Sequence, residues 1–372
     1  MRVQSLEIQR YRNISQLSLD CPQDLHIFVG PNAQGKTNIL ESLYLLALGK
    51  SHRTRSTKEL IQFGEQHAIL KARVKRNETG SRLEVRLRDL GKKVSINGIE
   101  QPKLSQYIGF LPAILFAPED LAIVKGSPQI RRRFLDMEIG QVSPTYLYHL
   151  SQLHKLLTQR NSLLKGLGTN KKFQVEFLDV YDEQLISLSL ELWRKRFHFL
   201  KQLTKWSQEI HQSITSANEE LLIEYLPSIP ITADLAIEEW RAVFQAELQK
   251  VREKEIRRGS TLLGPQRDDF RLVANGLDLH TFGSQGQQRT AALSLKLAEI
   301  ELIQQETGTY PILLLDDVLS ELDDSRKTHL LEAIRGRVQT FVTTTNLEGI
   351  DGETLAKAQI YQIQQGNIRE LR

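Results

Sequence analysis

The sequence predicts an α/β protein: a mixed-sheet lobe assembled from both ends of the chain, with a mainly α-helical second lobe inserted between them. Three observations carry that expectation. Strand patterns alternate with helical ones over residues 1–124 and 259–372, and helical spacing dominates residues 125–258. A glycine-rich stretch between a strand and a helix lies at residues 30–37, and a very apolar strand ending in two carboxylates lies at residues 312–317, on the far side of the helical region.

A chain of 372 residues fits two lobes sharing a sizeable core. The 40% hydrophobic and 25% charged residues place it among globular proteins and exclude a disordered or fibrous one. Cys21 is the single cysteine, so no intramolecular disulfide can form, and the opening MRVQSLEIQRYRN lacks the apolar run of a secretory signal. A cytoplasmic protein is expected. No apolar stretch approaches the roughly 20 residues of a membrane span, so no membrane contact is expected without a partner chain. The formal charge of +4 and the pI near 9.0 permit nucleic-acid binding without establishing it.

Alternation predicts a strand from about Arg2 to Gln9, a turn at Tyr11-Arg12-Asn13 and a buried strand at Leu25 to Val29. Ile39, Leu40, Leu43, Leu46 and Ala47 recur with helical spacing from Lys36, and Gly49 reads as the stop. Strands follow at Ala68 to Val74, Arg82 to Arg88 and Lys93 to Ile96, with Asn97-Gly98 as a hairpin turn. Ser127-Pro128 and Ser143-Pro144 read as N-cap and first helical position. From Leu178 to Ile214 apolar residues keep a near-heptad spacing, which implies one long helix buried against its neighbours rather than a coiled-coil seam. A helix from about Leu235 to Arg258 stops at Gly259; strands are expected at Phe270 to Val273 and Asp278 to Phe282 around Asn275-Gly276. A helix at Gly286 to Gln305, a strand at Ile312 to Leu315, a helix at Asp324 to Ile334 and a strand at Gln339 to Thr343 complete the pattern. No internal repeat or low-complexity tract interrupts it.

Gly30-Pro31-Asn32-Ala33-Gln34-Gly35-Lys36-Thr37 matches the phosphate-loop pattern G-x-x-x-x-G-K-[ST] in the required strand-to-helix setting. Such glycines let backbone amides curl around a β-phosphate at a positive helix end; Lys36 then places charge on the β and γ oxygens, and the Thr37 hydroxyl reaches Mg²⁺. A second acidic group must hold that cation through water. Ile312-Leu313-Leu314-Leu315-Asp316-Asp317 supplies it, since two adjacent carboxylates after four aliphatic residues make poor core unless a cation sits between them. Asp316 is assigned to the Mg²⁺ shell, and Asp317 to the attacking water as base or water-orienting group. ATP and Mg²⁺ are the implied cofactors.

Gly283-Ser284-Gln285-Gly286-Gln287-Gln288-Arg289 leads into a helix and resembles a degenerate ABC signature, with Ser284, Gly286 and Gln287 at its Ser, second Gly and Gln positions. Ser320-Glu321-Leu322-Asp323 resembles the D-loop of the same superfamily. Pro118-Glu119-Asp120 through Lys125-Gly126-Ser127-Pro128 to Arg131-Arg132-Arg133-Phe134-Leu135-Asp136, and Leu315-Asp316-Asp317 through Asp323 to Arg326, resemble the signatures of the RecF family. Leu263-Gly264-Pro265-Gln266-Arg267-Asp268-Asp269 and Tyr11-Arg12-Asn13 extend the likeness over essentially the whole chain. The resemblance implies an ABC/SMC-type P-loop ATPase head with an inserted helical lobe, and Arg12 and Asn13 at the nucleotide. It further implies an ATP-dependent homodimer in which one subunit's signature caps the other's ATP. The implied partners are single-stranded and double-stranded DNA at gaps and junctions, together with RecO and RecR in loading RecA. Departures from the pattern are a missing Q-loop glutamine before Pro118, no switch histidine in Thr343-Thr344-Thr345-Asn346, and Gln266 where His is expected.

Arg131, Arg132 and Arg133, with Lys50, His52, Arg53 and Arg55, and Arg257 with Arg258, are candidate phosphate-backbone contacts. They equally fit solvated faces or local pairs such as Arg133 with Asp136. Two other readings share the motifs: an SMC-like chromosome-structuring ATPase, for which the helical insertion is short, and a transporter cassette, which would need a membrane partner.

Overall fold

The computed structural model describes residues 1–76, 79–169, 176–320, 322–348 and 350–371. In chain order the first elements are β1 (Arg2–Tyr11), β2 (Ile14–Asp20), β3 (Leu25–Val29), α1 (Lys36–Leu48), β4 (His67–Arg76), β5 (Thr79–Arg88), β6 (Gly91–Ile96), β7 (Ile99–Glu100) and β8 (Ala113–Phe116). The middle runs α2 (Leu121–Lys125), α3 (Pro128–Val142), α4 (Pro144–Thr169), α5 (Glu176–Ile214), β9 (Leu221–Leu226), α6 (Ile237–Arg258), β10 (Asp269–Ala274), β11 (Leu277–Asp278) and α7 (Leu279–Phe282). The last are α8 (Gln285–Thr307), β12 (Ile312–Asp316), α9 (Asp324–Ile334), β13 (Thr340–Thr344), α10 (Gly352–Lys357), β14 (Ala358–Gln364) and β15 (Asn367–Glu370). No described helix is long and apolar enough to cross a membrane.

The chain divides into two compact units, the first made of residues 1–121, 213–217 and 292–372 and the second of 122–212 and 218–291. The expected division gives 125–258 to the helical lobe and 259–372 to the ATPase lobe. The observed second unit runs on past Arg258 to Ala291, for a physical reason: β10 pairs antiparallel with β9 from Asp269↔Leu226 to Ala274↔Leu221, and β11 pairs with β10. These strands complete a three-stranded sheet of the second unit and leave the first unit's sheets alone.

The first unit holds two six-stranded sheets. One is antiparallel in the order β2-β1-β4-β5-β6-β7; the other, β15-β14-β3-β13-β12-β8, is parallel except for β15. Strands buried on both faces read as continuous apolar runs, which is how β12 and β3 are legible. Helix α1 touches β4 and β5 of one sheet and β8, β12 and β13 of the other. Its core-facing surface therefore has no polar side: Glu41, Ser42 and Tyr44 are buried along with Leu40, Leu43 and Leu46. Gly49 ends it in the left-handed region at φ 65°, as its position predicts.

In the second unit α5 is a single helix of 39 residues with Leu178, Leu185, Leu192, Phe199 and Leu203 buried, in keeping with the heptad-like stripe. Two polar hubs tie the helices together. Arg160 donates to Asp182, Glu255 and Thr261, and Arg196 donates to Asp136, Tyr146, Pro265 O and Asp268. Buried arginines of this kind persist only with every donor answered. The stretch expected as a strand from Asp278 to Phe282 is instead α7, because the Asp278 carboxylate caps His280 N at 2.9 Å and starts a helical turn.

Candidate functional site

The parallel order β3-β13-β12 brings the ends of three strands side by side in the first unit, the place where open α/β sheets bind ligands. After β3 the chain turns through Ala33 at φ 64° and Gly35 at φ 107° into the N-terminus of α1. Position 35 must be glycine: its conformation disfavours a Cβ, and one built there would meet the Asn13 amide at 2.7 Å. A Cβ on Gly30 would meet Ile363 O at 2.5 Å, so the loop also lies against β14.

The Lys36 ammonium donates to Gly30 O and, at 2.9 Å, to Pro31 O. Burial lowers its pKa, opposed by the charges of Asp317 and Asp316. Thr37 Oγ1 donates to Asp316 Oδ1 at 2.8 Å, and Thr343 Oγ1 donates to the same oxygen at 2.7 Å. With its proton given to Asp316, the Thr37 oxygen keeps lone pairs for a cation. Asp317 stands in the left-handed region at φ 54°, uncommon for a non-glycine residue though Asp tolerates it better than most. Its N–H donates to Thr343 Oγ1 at 2.9 Å, and its Oδ1 accepts from Ser320 Oγ at 3.0 Å. Thr343 thus holds the Asp316 carboxylate directly and Asp317 through its backbone N–H, a role not visible in the sequence, where its segment stands out only for lacking a histidine.

A cleft of about 360 Å³ opens over this loop, lined by Asn13, Asn32, Gln34, Lys36, Thr37, Arg53, Asp317 and Thr343 among others. That size is ordinary for a nucleotide-scale ligand. Among the described residues no three His, Cys, Asp or Glu side chains cluster as a metal cage. A cation here would draw its remaining ligands from water and phosphate, which is the habit of Mg²⁺, so the donor set fits that ion.

The expected DNA contacts divide. Arg53 lines the cleft, with Nη1 on Asn38 Oδ1 at 3.0 Å, whereas Arg55 is exposed and Lys50 half-buried. Arg131 is buried and holds both oxygens of Asp269 at 2.7 Å, and Arg132 donates to Asp268 O at 2.7 Å; these two are committed to the fold of the second unit. Arg133 is exposed, and Asp136 is taken by Tyr146 at 2.6 Å and Arg196 at 2.9 Å instead.

Arg12 does not point its guanidinium into the cleft. It grips both oxygens of the fully buried Glu41 at 2.9 and 2.8 Å, with Glu59 O as third acceptor. Burial opposes the Glu41 charge, but hydrogen bonds from Arg12 and Ser51 outweigh it and hold the carboxyl below its usual range. Asn13 lines the cleft: Nδ2 donates to Gln34 O at 3.2 Å, and Oδ1 accepts from Asn38 at 2.8 Å. The turn between β14 and β15 closes the same loop, with Gln365 N on Gln34 Oε1 at 2.8 Å and Gly366 N on Gln34 O at 2.9 Å. The sequence signal for that turn is Gln365-Gly366 between Ile363 and Ile368.

In the second unit Ser284 and Gln287 form a reciprocal cap on α8: Ser284 N donates to Gln287 Oε1 at 2.9 Å and Gln287 N to Ser284 Oγ at 3.2 Å. Gly286 O accepts from Thr290 Oγ1 at 2.9 Å. Of the stretch resembling a D-loop, Ser320 binds Asp317 and Asp323 caps α9 through Arg326 N at 2.9 Å; Glu321 lies outside the described residues. Gln266 Nε2 donates to Leu263 O at 2.7 Å, an internal bond of its own turn.

A phosphate loop on α1, a carboxylate pair on β12 and an inserted helical unit define an ATPase head of the ABC/SMC type. Residues 2–368 match the family described as RecF/RecN/SMC N terminal domain. "DNA replication and repair protein RecF" of Bacillus mycoides is 50% identical over 99% of this chain and 98% of its own length, and that of Bacillus subtilis is 51% identical over 98% and 99%. The chain belongs to the RecF family of DNA replication and repair proteins. A solved structure described as the recombination mediator protein RecF-ATPrS in the RecFOR pathway superposes with a TM-score of 0.92 at 32% identity, covering 100% of this chain and 98% of that one. The Smc head domain of Pyrococcus furiosus, at 14% identity and a TM-score of 0.54, shares the fold, with 99% of this chain and 95% of that one covered.

Proposed function

We propose that the chain is a DNA-binding ATPase of recombinational repair and replication-fork maintenance, which ATP draws into a homodimer on single-stranded or double-stranded DNA at gaps and junctions. In this reading it acts in the cytoplasm, helps RecO and RecR load RecA, and opens when slow hydrolysis ends the dimer. The observation that carries the ATPase part is the hydrogen-bond chain Thr37–Asp316–Thr343, which joins residues 279 and 27 positions apart at one point of the sheet. The similar structure, a recombination mediator of the RecFOR pathway, and the relatives at about 50% identity support the partners.

The roles follow from the geometry. Lys36 and the loop amides from Gly30 to Thr37 hold the phosphates, and Arg53 adds charge at the cleft. Mg²⁺, taken by the Thr37 hydroxyl and through water by Asp316, would offset charge on the phosphate oxygens. Asp317, aimed by Thr343 and Ser320, orients the attacking water; its side chain is one methylene shorter than Glu, which favours slow turnover. Ser284, Gly286 and Gln287 complete the partner's site.

For DNA, the exposed face of the antiparallel sheet has the right charge. Arg73 stands opposite Arg82 and Arg86 opposite Lys93 in the strand registers, and all four are exposed. Like charges directly across strands destabilise a sheet; Arg86 is answered by Glu84 and Lys93 by Glu100 at 2.9 Å, so Arg73 and Arg82 are where a polyanion relieves the cost.

Gel filtration with and without ATP tests the whole. Asp317→Asn should keep ATP-driven dimers and lose hydrolysis, and Lys36→Ala should lose both. Unchanged dimerisation in Lys36→Ala would refute the reading, and a gel shift on gapped DNA lacking ATP-linked, salt-sensitive binding would favour a transporter cassette.

A further inference from the structure

Ser284 and Gln287 satisfy each other's backbone, and a helix cap needs nothing more. Gln287 nevertheless makes another bond: its Nε2 donates to Glu219 Oε1 at 2.9 Å. The other oxygen of Glu219 meets Nε2 of His211 at 3.1 Å, and His211, in the last turn of α5, is fully buried. Glu219 itself is fixed from several sides. The backbone just before it is left-handed at Ser216 (φ 52°) and Ala217 (φ 61°), and the next residue is locked to the β10–β11 turn by Glu220 N on Asn275 Oδ1 at 2.9 Å and Asn275 N on Glu220 O at 3.0 Å.

We propose that Glu219 is a positioning residue for the signature turn, holding the Gln287 amide in the one orientation that leaves the Ser284 hydroxyl proton directed outward to a phosphate oxygen. This rests on the reading of Ser284–Gln287 as the signature that caps a partner's ATP. The chemistry is specific. A carboxylate accepts only, so it selects the Nε2 end of the amide and turns Oε1 toward Ser284 N; that bond in turn fixes the Ser284 backbone. Ser284 Oγ spends an acceptor lone pair on Gln287 N, so its own proton is left to donate. Without Glu219 the amide is anchored at one end only, by Ser284 N, so it can swing about that bond, and the cap keeps its helix while losing its aim.

The test compares Glu219→Ala, Glu219→Gln and Gln287→Ala in the full chain, reading affinity for a fluorescent ATP analogue, ATP-driven association, kcat against KM, and the melting midpoint. Removing one hydrogen bond to a charged group predicts for Glu219→Ala a roughly ten-fold loss in kcat and in association, with monomer nucleotide affinity within about two-fold. Glu219→Gln, whose amide oxygen still accepts from Gln287, should recover most of both. Mixing Glu219→Ala with Lys36→Ala subunits should restore hydrolysis, because both defects then fall on one site and the other is intact. Wild-type association and turnover in Glu219→Ala alongside a defective Gln287→Ala overturns the assignment to Glu219. Wild-type behaviour in Gln287→Ala as well overturns the composite-site reading beneath it, and a lowered melting midpoint that accounts for the whole defect reduces Glu219 to structure alone.

Discussion

Each oxygen of Asp269 accepts a hydrogen bond of 2.7 Å from Arg131, a fork-to-fork pair spanning 138 positions of the sequence. Arg131 also donates to Gly126 O at 2.7 Å, so α3 and β10 are tied at the start of α3. Arg131→Ala strands a carboxylate that is largely desolvated and should cost about 3 kcal/mol of unfolding free energy. Urea denaturation checks it, and Arg131→Met with Asp269→Leu should recover part of the loss. DNA affinity per folded molecule should stay unchanged.

Thr343→Val keeps the shape of the side chain and removes its hydroxyl from Asp316 and from Asp317 N. Turnover should fall roughly ten-fold as the Asp316 carboxylate and the Asp317 backbone lose this partner, with ATP affinity within about three-fold. Steady-state hydrolysis together with a nucleotide titration distinguishes this from loss of binding.

On the sheet face, Arg73→Ala and Arg82→Ala should each weaken binding to DNA of any sequence by a similar factor. Each should also reduce the slope of log affinity against log salt by about 0.7 to 0.9. A slope that stays constant while affinity falls would count against phosphate contact at that residue.

Burial lowers His26 to about 4 from its ordinary 6.5, and its Nδ1 has no hydrogen-bond partner while its ring stacks on Phe341 at 4.9 Å. Between those two values the unfolded chain binds a proton that the folded chain refuses, so stability is lost as pH falls through that window. The loss from about pH 7 to about pH 5 should be roughly 2 kcal/mol for this group alone. His52 and His211 are lowered in the same direction by burial. His26→Phe keeps the stack and should flatten the pH dependence measured by chemical denaturation.

What the sequence makes legible is local. Glycine stops at 49 and 259 sit in the left-handed region as required, and Asn97-Gly98 turns at φ 51° and 83°. Apolar runs give β3 and β12, and the stripe from Leu178 gives α5. Elements whose reason is distant are hidden. Strand β2 shows only Ile14, Leu17 and Leu19 as buried positions, and it exists because it pairs with β1. Strand β9 is stabilised by β10, and the β14–β15 hairpin by β3. At the site the pattern residues Lys36, Thr37, Asp316 and Asp317 converge as their spacing implies, because each belongs to a motif with its own chemistry. Thr343 and Gln365 carry no motif, and Arg12 and Arg131 look like ligand contacts until Glu41 and Asp269 are seen beside them.

Strand β3, which launches the phosphate loop, has β13 and β14 as its two neighbours, and both are encoded beyond residue 339. During synthesis at about 5–20 residues per second the early strand therefore waits roughly 15 to 60 s for a flanking strand to leave the ribosome. Until then the newborn chain carries a hydrophobic strand with two open edges and no means of gripping a nucleotide, so nascent-chain holding factors and slowed translation downstream of it bear directly on how much active protein a cell obtains.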